Sequence, residues 1–253
     1  MIKFFRHIRQ NLLMENKTGK YFKYAIGEIV LVVIGILIAL QINNWNENRK
    51  SNIEEMAILK AMKTDFKETK NRAEETIESQ KEVVDYCYKL QIIMNGHKEI
   101  DSIGEYIYRG ALSYWRIEPV HGTYDGLIGS GKTDIIKNQN LKSLLAEYSA
   151  EIKYGFEDEE FGLELTSLLT EKCSPYSAFL EPEKYRKRVG IEKPVRDEKR
   201  NSAIVEHLNN NSFLGVLVAK SDMAHNRLEY QKNILSLVEK ILTQIESELE
   251  NKK

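Results

Sequence analysis

An all-α fold is predicted by three features of this 253-residue chain: one long apolar run near its start, four prolines in all, and almost no strand-like alternation. The expected architecture is one N-terminal transmembrane helix followed by an extramembrane antiparallel helical bundle. Three segments follow: a basic arm over 1–24, the membrane helix over 25–42, and a helical domain over 43–253.

The apolar run is Ala25 to Ile42, AIGEIVLVVIGILIALQI, with no polar residue from Ile29 to Leu40. At about 1.5 Å per residue it matches a hydrocarbon layer of about 30 Å, so the segment is read as crossing a bilayer. It exceeds the apolar part of a usual signal peptide and no Ala-x-Ala site follows it, so an uncleaved signal anchor is expected. The first flank holds Lys3, Arg6, Arg9, Lys17, Lys20 and Lys23, whereas the opposite flank holds only Arg49, Lys50 and Lys60. Short basic flanks stay on the cytoplasmic side, which orients the N-terminus inward and the C-terminal domain outward.

Within the arm, Phe4, Phe5, Ile8, Leu12 and Leu13 recur at helical spacing between Arg6 and Arg9, which suits a short helix on an anionic inner leaflet as well as it suits a plain basic flank. Tyr21, Phe22 and Tyr24 form an aromatic belt at the entry to the span, and Trp45 marks its exit. Two interior features stand out. Glu28 is a carboxylate about one turn inside the span, read as reaching interfacial water, bonding within a helix oligomer, or coupling ions as part of a membrane complex. Gly35 and Ala39 form a small-x-x-x-small face suited to close helix packing, so the expected partners are the bilayer and a second copy or another membrane protein.

The block MIKFFRHIRQNLLMENKTGKYFKYAIGEIVLVVIGILIALQINNWNENRK closely resembles the N-terminal signature of a large Gram-negative bacterial family of unknown function. Downstream the likeness is looser and centres on Tyr124 to Tyr148. The resemblance implies an inner-membrane protein with a periplasmic helical domain, and it brings no activity, ligand or catalytic residue.

Beyond the span, acidic residues modestly outnumber basic ones, which argues against a nucleic-acid surface. From Asn43 to Asn95 apolar residues recur at Leu59, Met62, Phe66, Ala73, Ile77, Val84, Cys87 and Met94, predicting one long, coiled-coil-like helix continuing from the span, with a break near Asn43 and Asn44. Asn95-Gly96 ends it. Shorter helices are expected over Ser102 to Tyr114, from Asn138 through Phe156, and over Phe161 to Cys173. A final amphipathic helix is expected from Ser212 to Leu249 with Leu214, Leu217, Leu228, Ile234, Leu235, Val238, Ile241, Leu242, Ile245 and Leu249 as its seam. The segment from Ser174 to Asn211 holds three prolines and the basic Lys184 to Arg188 cluster, and is read as an irregular crossover.

One motif invites an enzymatic reading. Gly126 to Thr133, GLIGSGKT, satisfies the phosphate-binding pattern through Gly126, Gly131, Lys132 and Thr133. A working loop of that kind needs a strand feeding it and a helix leaving it, and Trp115 to Asp125 reads as no strand. A helix-breaking turn is therefore expected there. The histidines show no metal-ligand spacing, Cys87 and Cys173 are expected to be buried, and His121 is expected on a surface loop. No cofactor, metal or catalytic set is expected. The function read from the sequence is a membrane-anchored, non-enzymatic interaction, assembly or sensor-like module; the alternatives are an ion-coupled subunit using Glu28 and a nucleotide-binding protein using Gly126–Thr133.

Overall fold

A computed structural model describes residues 18–96, 102–154, 159–179, 190 and 198–252. Among the described residues the chain is all-helical, without a strand. Its α-helices are α1 (Thr18–Met94), α2 (Ile103–Tyr106), α3 (Gly122–Gly129), α4 (Gln139–Tyr154), α5 (Glu159–Cys173), α6 (Glu198–Leu208) and α7 (Asn211–Asn251). The chain divides into two compact units, Met1–Ala57 and Ile58–Lys253.

Helix α1 runs without the break expected near Asn43 and Asn44. It contains the one helical stretch among the described residues that is long and apolar enough to cross a membrane. The large apolar side chains of that stretch cover nothing within the protein: Val33 is 47% exposed and Ile29 64%. An apolar patch of this extent is rarely left to water, so the surface calls for a lipid or protein cover. Trp45 is exposed beyond it. The expected amphipathic arm falls almost wholly on residues outside those described, as do His97, Asp101 and the Lys184 to Arg188 cluster.

In the second unit, α7 is the central element, with α4 and α5 packed on it. On α1, Lys63 pairs with Glu246 at 2.7 Å, Lys70 with Glu239 at 2.7 Å, and the Gln80 amide donates to the Ala224 carbonyl at 2.8 Å, so partner numbers fall on α7 as they rise on α1. The same inversion holds for α4, where the Asn138 amide, just before its first residue, donates to the Glu248 carboxylate and the Tyr230 hydroxyl donates to the Glu151 carbonyl. On α5, Thr166 meets Lys220 and Lys172 meets Ser212.

Two apolar clusters form the core. One joins Leu59, Met62, Phe66 and Ala73 of α1 to Tyr124, Leu127, Leu141, Leu145, Tyr148 and the Ile234 to Ile245 face of α7. The other joins Val83, Cys87, Leu90 and Met94 to Ile103, Ile107, Leu169, Ile204, Phe213 and Leu217. Of the predicted α1 seam, Val84 packs only partly, because neighbouring Val83 takes the core position.

Three local departures have physical causes. The helix expected over Ser102 to Tyr114 is α2 followed by a π-helical turn, Ile107–Ala111, and it stops at Leu112. Gly110 lies on that turn at its closest approach to α1: a Cβ there would stand 2.7 Å from Tyr86 Cβ and 3.0 Å from the Cys87 nitrogen. Helix α3 was not expected in a glycine-rich segment. Tertiary contact overrides propensity here, since Tyr124 and Leu127 are buried three residues apart and the Asp65 carboxylate of α1 accepts the Thr123 N–H at 3.0 Å. Helix α6 lies inside the segment read as an irregular crossover, held by Ile204 and Leu208, buried four residues apart.

Candidate functional site

The sequence-nominated residues do not converge. Glu28 is half-buried on α1, and a Cβ at Gly35 would meet open space, so the Gly35 and Ala39 face lies uncovered. Both stand in the first unit, far along the chain from the GLIGSGKT turn in the second.

That turn is the end of a helix. Gly126 to Gly129 are the last residues of α3, and Gly131 adopts the left-handed conformation with φ +68°. The Gly131 N–H donates to the Ile128 carbonyl at 3.0 Å and the Lys132 N–H to the Leu127 carbonyl at 3.1 Å. These two bonds make a Schellman stop, in which glycine is favoured for its backbone and not for a ligand. The N–H groups that would cradle a phosphate are therefore committed to α3, and the element before the loop is a helix where the phosphate-binding arrangement needs a strand.

The other sequence-stated positions are surface or core features. His121 pairs with Asp125 through Nδ1, on a side chain 42% exposed. Cys87 and Cys173 are both free and buried, and burial pushes each thiol up to about 12. Among the described residues no group of His, Cys, Asp and Glu side chains is arranged to hold a metal.

What the structure does bring together is a layer of buried polar side chains on α1 and α7, beside the second apolar cluster. Gln80 of α1 and Lys220, Ser221, Arg227 and Gln231 of α7 are all buried. Tyr114 lies beside them, after the π-helical turn, and its ring stands 3.9 Å from the Arg227 guanidinium and 5.4 Å from the Lys220 ammonium. These are cation–π contacts in a desolvated setting, where they are strongest. The Lys220 ammonium donates to the Thr166 hydroxyl of α5 at 2.6 Å, and the Gln231 amide donates to the Trp115 carbonyl at 2.9 Å.

Electrostatics separate the members. Burial, the larger cause, together with the nearby Arg227 cation, lowers the Lys220 ammonium to about 8. Burial raises the Tyr114 phenol above its usual range, with Arg227 opposing that rise and Glu159 adding to it. Gln80, Ser113, Tyr114, Gly162, Lys220, Met223, Ala224 and Arg227 enclose a cavity of about 10 Å³. That is room for about one water molecule. Gln80 Oε1 is a buried acceptor without a hydrogen-bond donor among the described residues.

Sequence reasoning missed this layer because it tracked apolar residues. The gap in the α7 seam between Leu217 and Leu228 was the available signal: Lys220 and Arg227 share a helical face with the buried Ala224 and continue the buried stripe with polar groups.

A profile of a family described as "Family of unknown function (DUF6090)" matches residues 28–157, just over half of the chain. No curated protein and no solved structure matches it.

Proposed function

The chain belongs to the DUF6090 family of unknown function, and on that footing we propose that it is a single-pass inner-membrane protein whose N-terminus is cytoplasmic and whose C-terminal domain is a periplasmic antiparallel helical bundle acting as a non-enzymatic, sensor-like interaction module. The observation that carries this reading is α1 itself: one helix holds an uncovered apolar window able to span a bilayer and, further along, the residues that line both core clusters. The orientation rests on the basic excess before the window, and the bundle on the inverted pairings of α1, α4 and α5 with α7. The sensor-like character rests on the polar layer, since a core that contains buried charge changes its packing when that charge is altered or paired.

Gly35 and Ala39 give the span a surface for a second copy or another membrane helix. Reporter fusions at residue 253 test the orientation: activity only of a periplasm-dependent reporter supports the reading, and activity only of a cytoplasm-dependent one overturns it. Cross-linking of the full-length protein in membranes tests the interaction role. Loss of the cross-linked species in a Gly35→Ile, Ala39→Ile double variant is the expected result.

A further inference from the structure

Within the second unit, α1 and α7 leave an open groove of about 600 Å³ on the surface, lined by Lys67 and Lys70 of α1 and by Glu239, Leu242, Thr243 and Glu246 of α7. Its two walls carry opposite charge. Lys63 and Lys70 stand one heptad apart on α1, and their partners Glu246 and Glu239 stand one heptad apart on α7, each pair at 2.7 Å. Lys67 adds a third cation to the α1 wall. The four paired side chains remain 31% to 51% exposed, so each keeps a water-facing side on which a second partner can act. The α7 wall also has an apolar edge. Leu235, Leu242 and Leu249 recur every seven residues, which places them on one stripe of the helix; Leu242 lines the groove, and the other two pack only partly on the first core cluster. Leucines at a heptad spacing flanked by lysines on one side and glutamates on the other form the pattern by which packed helices select a partner and its direction.

We propose that this groove is the contact between two copies of the chain, related by a two-fold axis parallel to α1 and α7, so that the basic α1 wall of each copy meets the acidic α7 wall of the other. The proposal rests on the membrane-anchored reading above: two copies inserted in one membrane emerge on the same side, with their α1 helices pointing the same way. Within one chain Lys63 lies level with Glu246 and Lys70 with Glu239. An axis parallel to the helices preserves those levels, so every lysine of one wall meets a glutamate of the second copy. An axis across the helices instead sets the two α1 walls, with Lys67 and Lys70, against each other. A partner of a single charge sign meets one like-charged wall in any orientation. The groove is therefore complementary to itself, the condition for an isologous interface. Exposed ion pairs add little affinity, so the charges fix partner and direction, while the leucine edge and confinement to one membrane supply the affinity.

The test co-expresses two differently tagged full-length copies, Lys67→Cys in one and Thr243→Cys in the other, and drives disulfide formation in isolated membranes with copper phenanthroline. Cys87 and Cys173 are buried and stay out of the reaction. A mixed disulfide dimer is expected, well in excess of the dimers formed by two Lys67→Cys or two Thr243→Cys copies. Adding Lys63→Glu and Lys70→Glu to both copies, or Glu239→Lys and Glu246→Lys to both, is expected to lower the mixed dimer about tenfold, because like charges then face each other. Placing the first pair in the Lys67→Cys copy and the second in the Thr243→Cys copy restores it, a rescue that damage to the fold does not produce. A mixed dimer no more abundant than the same-site dimers overturns the proposal, as does a yield that neither reversal changes, or a failed rescue between copies of wild-type helicity. Where a reversed copy loses helicity, the comparison of mixed with same-site dimers in the otherwise wild-type chain decides. Release of the chain by alkaline carbonate overturns the membrane-anchored reading and this contact together, whereas a membrane-retained chain without the mixed dimer overturns the contact alone. A yield lost in Gly35→Ile, Ala39→Ile and untouched by both charge reversals places the contact in the span and overturns the groove.

Discussion

Lys220 and Gly110 show how single positions constrain this core, one by charge and one by volume. For Lys220 the folded value, about 8, lies below its ordinary 10.5. The unfolded chain therefore binds more protons between those values, and stability rises with pH across that window while the full penalty stands below it. The difference corresponds to about 3 kcal/mol. Lys220→Met, similar in length and apolar, is expected to be more stable than wild type by about 1–3 kcal/mol near pH 7. Urea denaturation should show that advantage shrinking as the pH passes from 8 toward 10.5; a constant advantage would place the cause in packing instead of charge. Thr166 loses little in this variant, because its hydroxyl also donates to the Gly162 carbonyl at 2.8 Å. Gly110→Ala acts sterically. Its Cβ would meet the Tyr86 Cβ and the Cys87 backbone nitrogen, neither of which can swing away. A loss of about 1–3 kcal/mol, read as a lower melting temperature, is expected from such overpacking.

Helices were readable in the sequence wherever an apolar stripe ran for several turns, and unreadable where tertiary contacts replaced it. Of the predicted α7 seam, Leu217, Leu228, Ile234, Val238, Ile241, Leu242 and Ile245 are buried, as a 3.6-residue repeat requires, while Leu214, Leu235 and Leu249 at its margin pack only partly. Helix α3 escaped notice because glycine-rich sequence argues against a helix, and the compensating bond to Asp65 comes from a residue 58 positions earlier. The same distance hid the polar layer: nothing local announces that Gln80, Tyr114 and Lys220 share one cavity. Asp65→Ala therefore tests the account of α3. It removes an acceptor from the N-terminus of a short helix, and hydrogen exchange of the α3 amides should quicken while α7 stays protected. At α7 itself, the Asn210 side chain accepts the Phe213 N–H at 2.9 Å as an N-cap. Asn210→Ala is expected to lower stability by about 1 kcal/mol in the same denaturation assay.

Taken as a whole, the chain assigns its two demands for apolar burial to two different units. Both core clusters lie entirely within Ile58–Lys253, so that unit satisfies its own apolar residues without help from the run between Ala25 and Ile42. The run in turn contributes no buried large apolar residue to either cluster, leaving its side chains for an external phase. A hydrophobic helix serving a soluble core would show the opposite pattern, with the same residues among the most buried. This division makes a concrete demand on fractionation. The full-length chain should remain with membranes after alkaline carbonate washing, whereas a 43–253 fragment should be released and stay helical by circular dichroism with a cooperative melt. Release of the full-length chain would mean that the apolar window is covered by protein, and the Gly35 and Ala39 face would then be where to look for that partner.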